Sequence, residues 1–484
     1  MENIGRKIFF WLLVAVFFLV TPTIIFYSLG YRFSPDRGIF IYSGSVTISA
    51  NPRQVDIAID GKSIGGKVLN RLNNSYHVSG IGPGEHILEV GSPEFNTWSK
   101  KLNINSGVSA EFWNVLLTRK NYEKKFISIP AVTRIFLIPS KHLGSYAQEE
   151  NGKFSVGKFD LQTLETDTIF SSAEFHFTDD KKENMEWSPQ AHKIIIPTIS
   201  IEDGSKHYFI VDIETNQTTD LESIAGNGSF RSVRWDPDHK NVIFYLADNN
   251  LILLDLNQPE AKKMIAENIS SYDLTQGKIF YFQMPGGMIY YSDLNGASKP
   301  VQITTSFPEQ IFPDQSYKLV VYDEKCIAII RNNNNLYIYN QGDKDTYFYK
   351  LRENVEGVQF SDDGKKLLYW SPREIFVHFT RIWEVQPFRN ENETLDITRF
   401  SEEIKNVQWG KDYEHVLFSV GNRIKVAELD NRGQRNISDI ISFNNSNPAI
   451  VENHQDNQLF FTEKDAEEKT GISVIIFPEK TGLF

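Results

Sequence analysis

The pattern of hydrophobic and polar positions divides the chain into three regimes. From Ile8 to Tyr31 no charged residue interrupts the run IFFWLLVAVFFLVTPTIIFYSLGY. No polar face breaks it, so it predicts a helix that is apolar all round, unlike a surface helix of a globular fold. From residue 38 to residue 118 the pattern becomes short alternating runs separated by turn residues. From residue 120 onward short apolar runs recur at a longer, roughly regular interval.

The first regime is long enough to cross a membrane: roughly 20 helical residues span a hydrocarbon core of about 30 Å. Pro22 is compatible with a membrane helix. Trp11 and Tyr27 stand near the two ends, where amphipathic rings favour the interface. A cleaved signal peptide would have an apolar core of roughly 7–15 residues followed by small residues. Here the bulky Ile24, Ile25, Phe26 and Tyr27 occupy that place, so a retained anchor is expected over residues 1–37. Arg6 and Lys7 precede the span and Arg32 and Arg37 follow it, so the flanking cations nearly balance. The short N-terminal tail and the large β-rich remainder favour an N-terminus in the cytoplasm and an extracytoplasmic body.

In the second regime Val46 and Ile48 share one face of SVTISA, and Val55, Ile57 and Ile59 alternate with Asp56, Ala58 and Asp60. Asp60-Gly61 reads as a hairpin turn and Gly82-Pro83-Gly84 as another. Further strands are expected at His86–Val90, Leu102–Ile104 and Phe112–Leu117. Five or six strands without a helical period predict a small β-sandwich over residues 38–120. The order NPRQVDIAIDGKSIG, GIGPGEHILEV, FNTWSKKLNI, FWNVLL resembles a PEGA domain over roughly residues 42–118. Arg53-Gln54 stand where that family has small residues. The resemblance implies an extracytoplasmic accessory module without catalysis. Gly61 to Lys67 fits the first part of a phosphate-binding loop, but Val68 replaces the metal-reaching Ser or Thr and no helix pattern follows. A glycine-rich hairpin loop is the expectation.

The third regime contains a repeated unit. Trp187-Ser188-Pro189, Trp235-Asp236-Pro237, Phe312-Pro313-Asp314, Phe360-Ser361-Asp362-Asp363-Gly364 and Trp409-Gly410-Lys411 each precede an apolar strand. A further member is expected near Asp273-Leu274. A second strand closes each unit: YFIVDI, LILLDL, MIYYSDL, NLYIYN, IFVHFT and RIKVAEL. With weaker units at 131–162 and 447–478, the count is eight, or seven if the first segment supplies only closing strands. Units of roughly 40–48 residues with this internal order predict a β-propeller over 121–484. The units resemble WD40-like propeller repeats of the Tol-translocation type, with Ser361 to Leu368 as a near copy. The aromatic is expected to pack between blades. The fold class is therefore all-β: a single transmembrane helix, a PEGA-like sandwich, and a seven- or eight-bladed propeller.

Composition adds exclusions. There are 62 acidic and 50 basic residues, for a net charge of -12, which argues against nucleic acid as a partner. The single cysteine, Cys326, rules out an internal disulfide, and its apolar CIAII setting predicts a buried, inert thiol. The ten histidines are scattered, with no His-Glu-x-x-His pattern and no G-x-S-x-G elbow. Asp179-Asp180 and Asp362-Asp363 read as solvated turns, and Asn332–Asn335 as a hairpin loop. No catalytic, metal-ligating or cofactor-binding residue is assigned, and no cofactor is expected. The expected function is a non-catalytic, single-pass protein of a bacterial or archaeal cell membrane, binding a protein, peptide or cell-wall glycan through its propeller. Two alternatives stand beside it: an extracytoplasmic propeller enzyme acting on glycans or peptides, and a structural envelope spacer.

Overall fold

The structure is a computed structural model that describes residues 4–34, 38–65, 69–139, 143–178, 180, 183–226, 228–312, 315–332, 334–443, 448–464 and 468–479. The expected loop residues 66–68, Pro313-Asp314, Asp179 and Asn333 lie outside the described residues. The protein is mostly β-strand, with one long N-terminal helix.

That helix, α1, runs from Ile4 to Ser28. Its 25 residues span about 37 Å at about 1.5 Å each, which exceeds a hydrocarbon core. None of its apolar window is buried against the rest of the protein. Tyr31–Ser34 and Ile39–Tyr42 then form an antiparallel hairpin, pairing Tyr31 with Tyr42 and Phe33 with Phe40. The hairpin straddles the division expected after residue 37 and had no signal in the alternation pattern.

Two four-stranded sheets follow, packed face to face. One contains Gly44–Asn51, Leu69–Asn70, Ser75–Ile81 and Ser109–Leu116; the other contains Asp56–Ile59, Lys62–Ser63, Gly84–Gly91 and Trp98–Ile104. Val46, Ile48, Ile57, Leu88, Val90, Trp98 and Phe112 form their shared core. The alternation expected for SVTISA and VDIAID holds, with Val46, Ile48, Val55 and Ile57 buried and Asp56 exposed. Gly44–Asn51 pairs in parallel with Ser109–Leu116, so the first and last strands of this module lie side by side. Asp60 and Gly61 turn the chain with positive φ, as the Asp-Gly pair predicts.

From residue 132 to residue 476 the chain builds successive four-stranded antiparallel sheets, at 132–172, 175–220, 230–266, 269–302, 317–352, 357–399, 404–442 and 450–476. The 175–220 sheet takes its first strand in two pieces, Phe175–Phe177 and Glu186–Trp187. The 450–476 sheet is completed by Lys125–Ser128, which pairs with Thr470–Ile476. The central strands are apolar on both faces because each sheet is covered twice. Ile279 and Tyr281 pack toward the preceding sheet, against Phe244 and Leu246. Phe280 and Phe282 pack toward the following one, against Tyr317 and Ile329. The same exchange runs all the way round: Phe460 and Ile472 of the last sheet pack against Ile135 and Tyr146 of the first. The sheets thus form a closed, propeller-like ring.

Repeated polar ties reinforce the apolar seams. Trp187, Trp235 and Trp409 are buried, and each indole N–H donates to the preceding sheet: to Ser145 Oγ at 3.1 Å, Glu186 O at 2.9 Å and Gln359 O at 3.0 Å. Side chains also accept backbone N–H groups from the next first strand. Asp273 takes Val321 N at 2.9 Å, Gln359 takes Trp409 N at 3.1 Å and Gln408 takes Glu452 N at 3.2 Å. These bonds satisfy donors that neighbouring first strands cannot offer each other as a ladder. A lysine opening the second strand reaches forward in the same way: Lys193 to Asn241 at 3.0 Å, Lys278 to Glu324 at 3.1 Å and Lys366 to Glu414 at 2.5 Å. Gly364 holds its turn with φ +66, and a Cβ there would collide with the Tyr322 ring of the preceding sheet.

One repeat is out of phase with the expectation. Phe312 does not end a first strand; KLVVYD, expected to follow it as a second strand, is itself the first strand, Tyr317–Asp323. The second strand is Cys326–Arg331. The turn between them is held by Asp323 Oδ1, which accepts Lys325 N and Cys326 N. No Trp marks this unit: Tyr322 stands just before its turn, and Phe312, ahead of the strand, imitated the frame. Residues 131–162, expected as a weak unit, belong to a full four-stranded sheet, while the closing strand is the separate Lys125–Ser128. Cys326 is fully buried as expected, and burial pushes its thiol up to about 12.

Candidate ligand site at the seam between sandwich and ring

The small module sits against the 357–399, 404–442 and 450–476 sheets, and its sequence is built for that contact. Trp98–Ile104 alternates, with Trp98, Lys100, Leu102 and Ile104 all on the buried face. A lysine on that face needs a partner. Lys100 finds Glu428 Oε1 of the ring at 2.6 Å and donates to Asp430 O at 2.8 Å. Trp98 Nε1 donates to the other Glu428 oxygen at 2.8 Å. Arg432 donates to Glu111 O at 2.6 Å and stacks its guanidinium 4.1 Å from the Phe112 centroid. Gln386 accepts Glu111 N and donates to Ser109 O, both at 3.1 Å. Gly433, at φ +63, lets the ring backbone approach so closely that a Cβ would strike the Lys101 carbonyl oxygen.

Beside these contacts a cavity of about 370 Å³ remains between the two parts. The small module contributes Asn51 and Trp113 to Leu116; the ring contributes Asp412, His415, Glu452 and Asn457. Asp412 follows the first strand of the 404–442 sheet. Its Oδ1 accepts Glu414 N at 3.0 Å and His415 N at 3.1 Å, which leaves Oδ2 to meet His415 Nδ1 at 2.7 Å. Burial works against the charge on both partners, but their mutual attraction outweighs it: the His415 pKa is raised and the Asp412 pKa lowered.

Glu452 lies on the first strand of the next sheet, Ile450–Asn453, with its side chain wholly buried. Among the described residues neither carboxyl oxygen has a close hydrogen-bond partner, and His454 Nε2 stands 3.5 Å from Oε2. Burial raises the Glu452 pKa despite that histidine. A buried carboxyl group facing a cavity can accept a hydrogen bond from an amine or hydroxyl, or donate one when protonated. No sequence motif announced it, because its neighbours come from positions far apart in the chain.

The other chemistry-bearing residues have local roles. His207, Asp220 and Glu222 bring ligand atoms within 4.8 Å of one another. However, His207 Nδ1 already meets Asp220 at 2.9 Å and Nε2 meets Ser205 at 2.9 Å, while Asp220 caps the short helix Leu221–Ala225. On the first strands of the ring, Arg234 bridges Glu186 at 2.9 Å and Asp273 at 3.2 Å. These acids tie neighbouring sheets together.

No family model matches the chain, and no curated protein matches it. Solved structures do. The Dos1 propeller has 11 % identity and a TM-score of 0.48, with 75 % of this chain and 96 % of that one covered. The β-propeller domain of Myceliophteria thermophila Cps50 (Swd1) has 11 % identity and a TM-score of 0.36, with 60 % and 95 % covered. An oligogalacturonate lyase in complex with manganese has 14 % identity and a TM-score of 0.37, with 74 % and 98 % covered. These likenesses concern the fold; the closed ring itself rests on the pairing and packing described above.

Proposed function

We propose that this chain is a single-pass membrane protein whose extracytoplasmic body, a PEGA-like module over 38–120 and an eight-bladed propeller over 121–484, is a rigid binding platform. Its partner is a protein, peptide or cell-wall glycan. The observation that carries this reading is the buried Lys100–Glu428 contact, which fixes the ring to the module that follows α1. A spacer needs length; a platform needs a fixed presentation, and this seam provides one. The Glu452 cavity is the preferred ligand contact, and an amine or hydroxyl on the partner suits it.

The test is photo-crosslinking and affinity purification of the full chain from detergent-solubilised membranes. One specific extracytoplasmic ligand is expected, weakened in Glu452→Gln. Failure to enrich any specific ligand overturns the binding reading in favour of the spacer. Cysteine labelling on intact cells tests the side: a fully protected body overturns the extracytoplasmic placement. One observation favours the enzyme alternative, since a buried carboxyl with a raised pKa in a cavity is a candidate general acid. Turnover of cell-wall glycans or peptides that is lost in Glu452→Gln would establish it.

A further inference from the structure

The hairpin after α1 presents apolar rings to solvent where a linker would be polar. Phe33 is 55 % exposed, Phe40 44 % and Tyr42 42 %. Because the strand pair alternates, Tyr31, Phe33, Phe40 and Tyr42 share one face. That face is continuous with the end of α1: Phe26 meets Tyr31 with centroids 5.4 Å apart and stacks on Phe40 at 6.1 Å. Phe33 meets Phe40 at 5.5 Å, and Tyr31 stacks on Tyr42 at 5.1 Å. Arg32 and Ile41, on the opposite face, lie against Gly80 and Gly82 of the small module. The Arg32 guanidinium also lies 3.6 Å from the Tyr27 centroid and donates to Tyr27 O at 2.7 Å. Ser43 then fastens the junction, donating its N–H and Oγ to Gly30 O at 3.0 and 2.7 Å.

We infer that this hairpin is an interfacial paddle whose aromatic face seats at the headgroup–acyl boundary of the lipid bilayer that α1 crosses. The inference rests on the membrane-anchor reading and adds to it. A 25-residue helix covers about 37 Å against a core of about 30 Å, so its last turn and the hairpin emerge at headgroup depth. Exposed Tyr and Phe rings without compensating charge are suited to that layer, being amphipathic or apolar and rigid. With one face in lipid and the other on the small module, the hairpin sets the tilt of the body instead of leaving it on a free tether.

The test uses the full chain in phospholipid vesicles, with a polarity-sensitive fluorophore on one introduced cysteine at a time. Buried Cys326 does not label. Leu19→Cys reports the helix, Phe33→Cys the aromatic face of the hairpin, and Leu72→Cys a fully exposed loop of the small module. Nitroxide quenchers are placed shallow or deep in the acyl chain. Leu19→Cys should be quenched by the deep probe. Phe33→Cys should be quenched several-fold more strongly by the shallow probe than Leu72→Cys. If Phe33→Cys matches Leu72→Cys while Leu19→Cys is quenched, the paddle is overturned and the anchor stands. If Phe33→Cys is shielded from aqueous iodide but not reached by lipid quencher, a protein surface or second copy covers it, and the paddle is again overturned. If Leu19→Cys is unquenched, the anchor reading fails and takes the paddle with it.

Discussion

Two seams hold this protein together, and they are made differently. Between neighbouring sheets of the ring, the contact is a two-faced apolar layer, repeated at every sheet and laced with hydrogen bonds and ion pairs such as Trp235–Glu186 and Lys366–Glu414. Between the small module and the ring, the contact is built around a buried lysine, a buried glutamate and an arginine stacked on phenylalanine. The first kind tolerates repetition because burial is non-directional. The second is centred on polar groups with no apolar layer repeated beside them, so it is directional: the Lys100 charge is acceptable only where Glu428 is in place. The ring can therefore be copied unit by unit, whereas the docking can be satisfied in a single orientation.

The largest effect should come from breaking the apolar seam. Trp409→Ala deletes a fully buried indole and its bond to Gln359 O, and should cost about 5 kcal/mol. Urea denaturation followed by far-UV circular dichroism should show the whole ring losing stability. Lys100→Met strands the Glu428 carboxylate and should cost about 4 kcal/mol of docking. Limited proteolysis should then cut at the seam while the ring's own urea midpoint stays put. Adding Glu428→Gln should recover roughly half of that loss, because no buried charge is left alone. A shift of the ring midpoint in Lys100→Met would show that the two seams are not independent.

A smaller, pH-dependent effect tests the interior of the ring. His378 is fully buried, and desolvation lowers its pKa to about 4. Its folded value lies below the unfolded one near 6.5, so the unfolded chain takes up a proton first as pH falls. The His378 contribution is full above about pH 6.5, and its loss should lower stability by about 3 kcal/mol by about pH 4. His378→Gln should flatten that slope in denaturation curves taken across the range. The smallest effect belongs to the exposed Lys101–Glu85 pair beside the docking seam, at 3.0 Å. Glu85→Gln should change stability by less than about 1 kcal/mol, and a larger effect would mean that this outer pair takes part in docking.

The contrast also explains what could be read from the residues alone. Tryptophans at the ends of first strands and third strands such as LILLDL recur, so the repeating architecture was visible. Where the marker is not a Trp, phase was lost: Phe312-Pro313-Asp314 imitated the frame, and the true turn at Asp323 follows Tyr322. The seam left only a faint trace, a lysine in register with Trp98, Leu102 and Ile104 on a buried face. Its partner lies 328 residues away, beyond any local pattern. Glu452 looked like one acid among 62 because burial, which gives it its character, is set by strands from both parts. The hairpin of Tyr31–Ser34 and Ile39–Tyr42 was divided by the boundary at residue 37, since Tyr, Phe and Ile serve equally well in a helix end and in a strand pair.

The strand Lys125–Ser128 pairs with Thr470–Ile476 and so joins points about 350 residues apart. Everything between is a loop that must close before the last sheet has its outer edge, and closure over such a separation is slow. An edge strand left open is a template for pairing with another chain. A growing chain therefore carries Lys125–Ser128 without this partner until Thr470–Ile476 has been made, and that pairing is among the last of the ring's contacts to become available during synthesis.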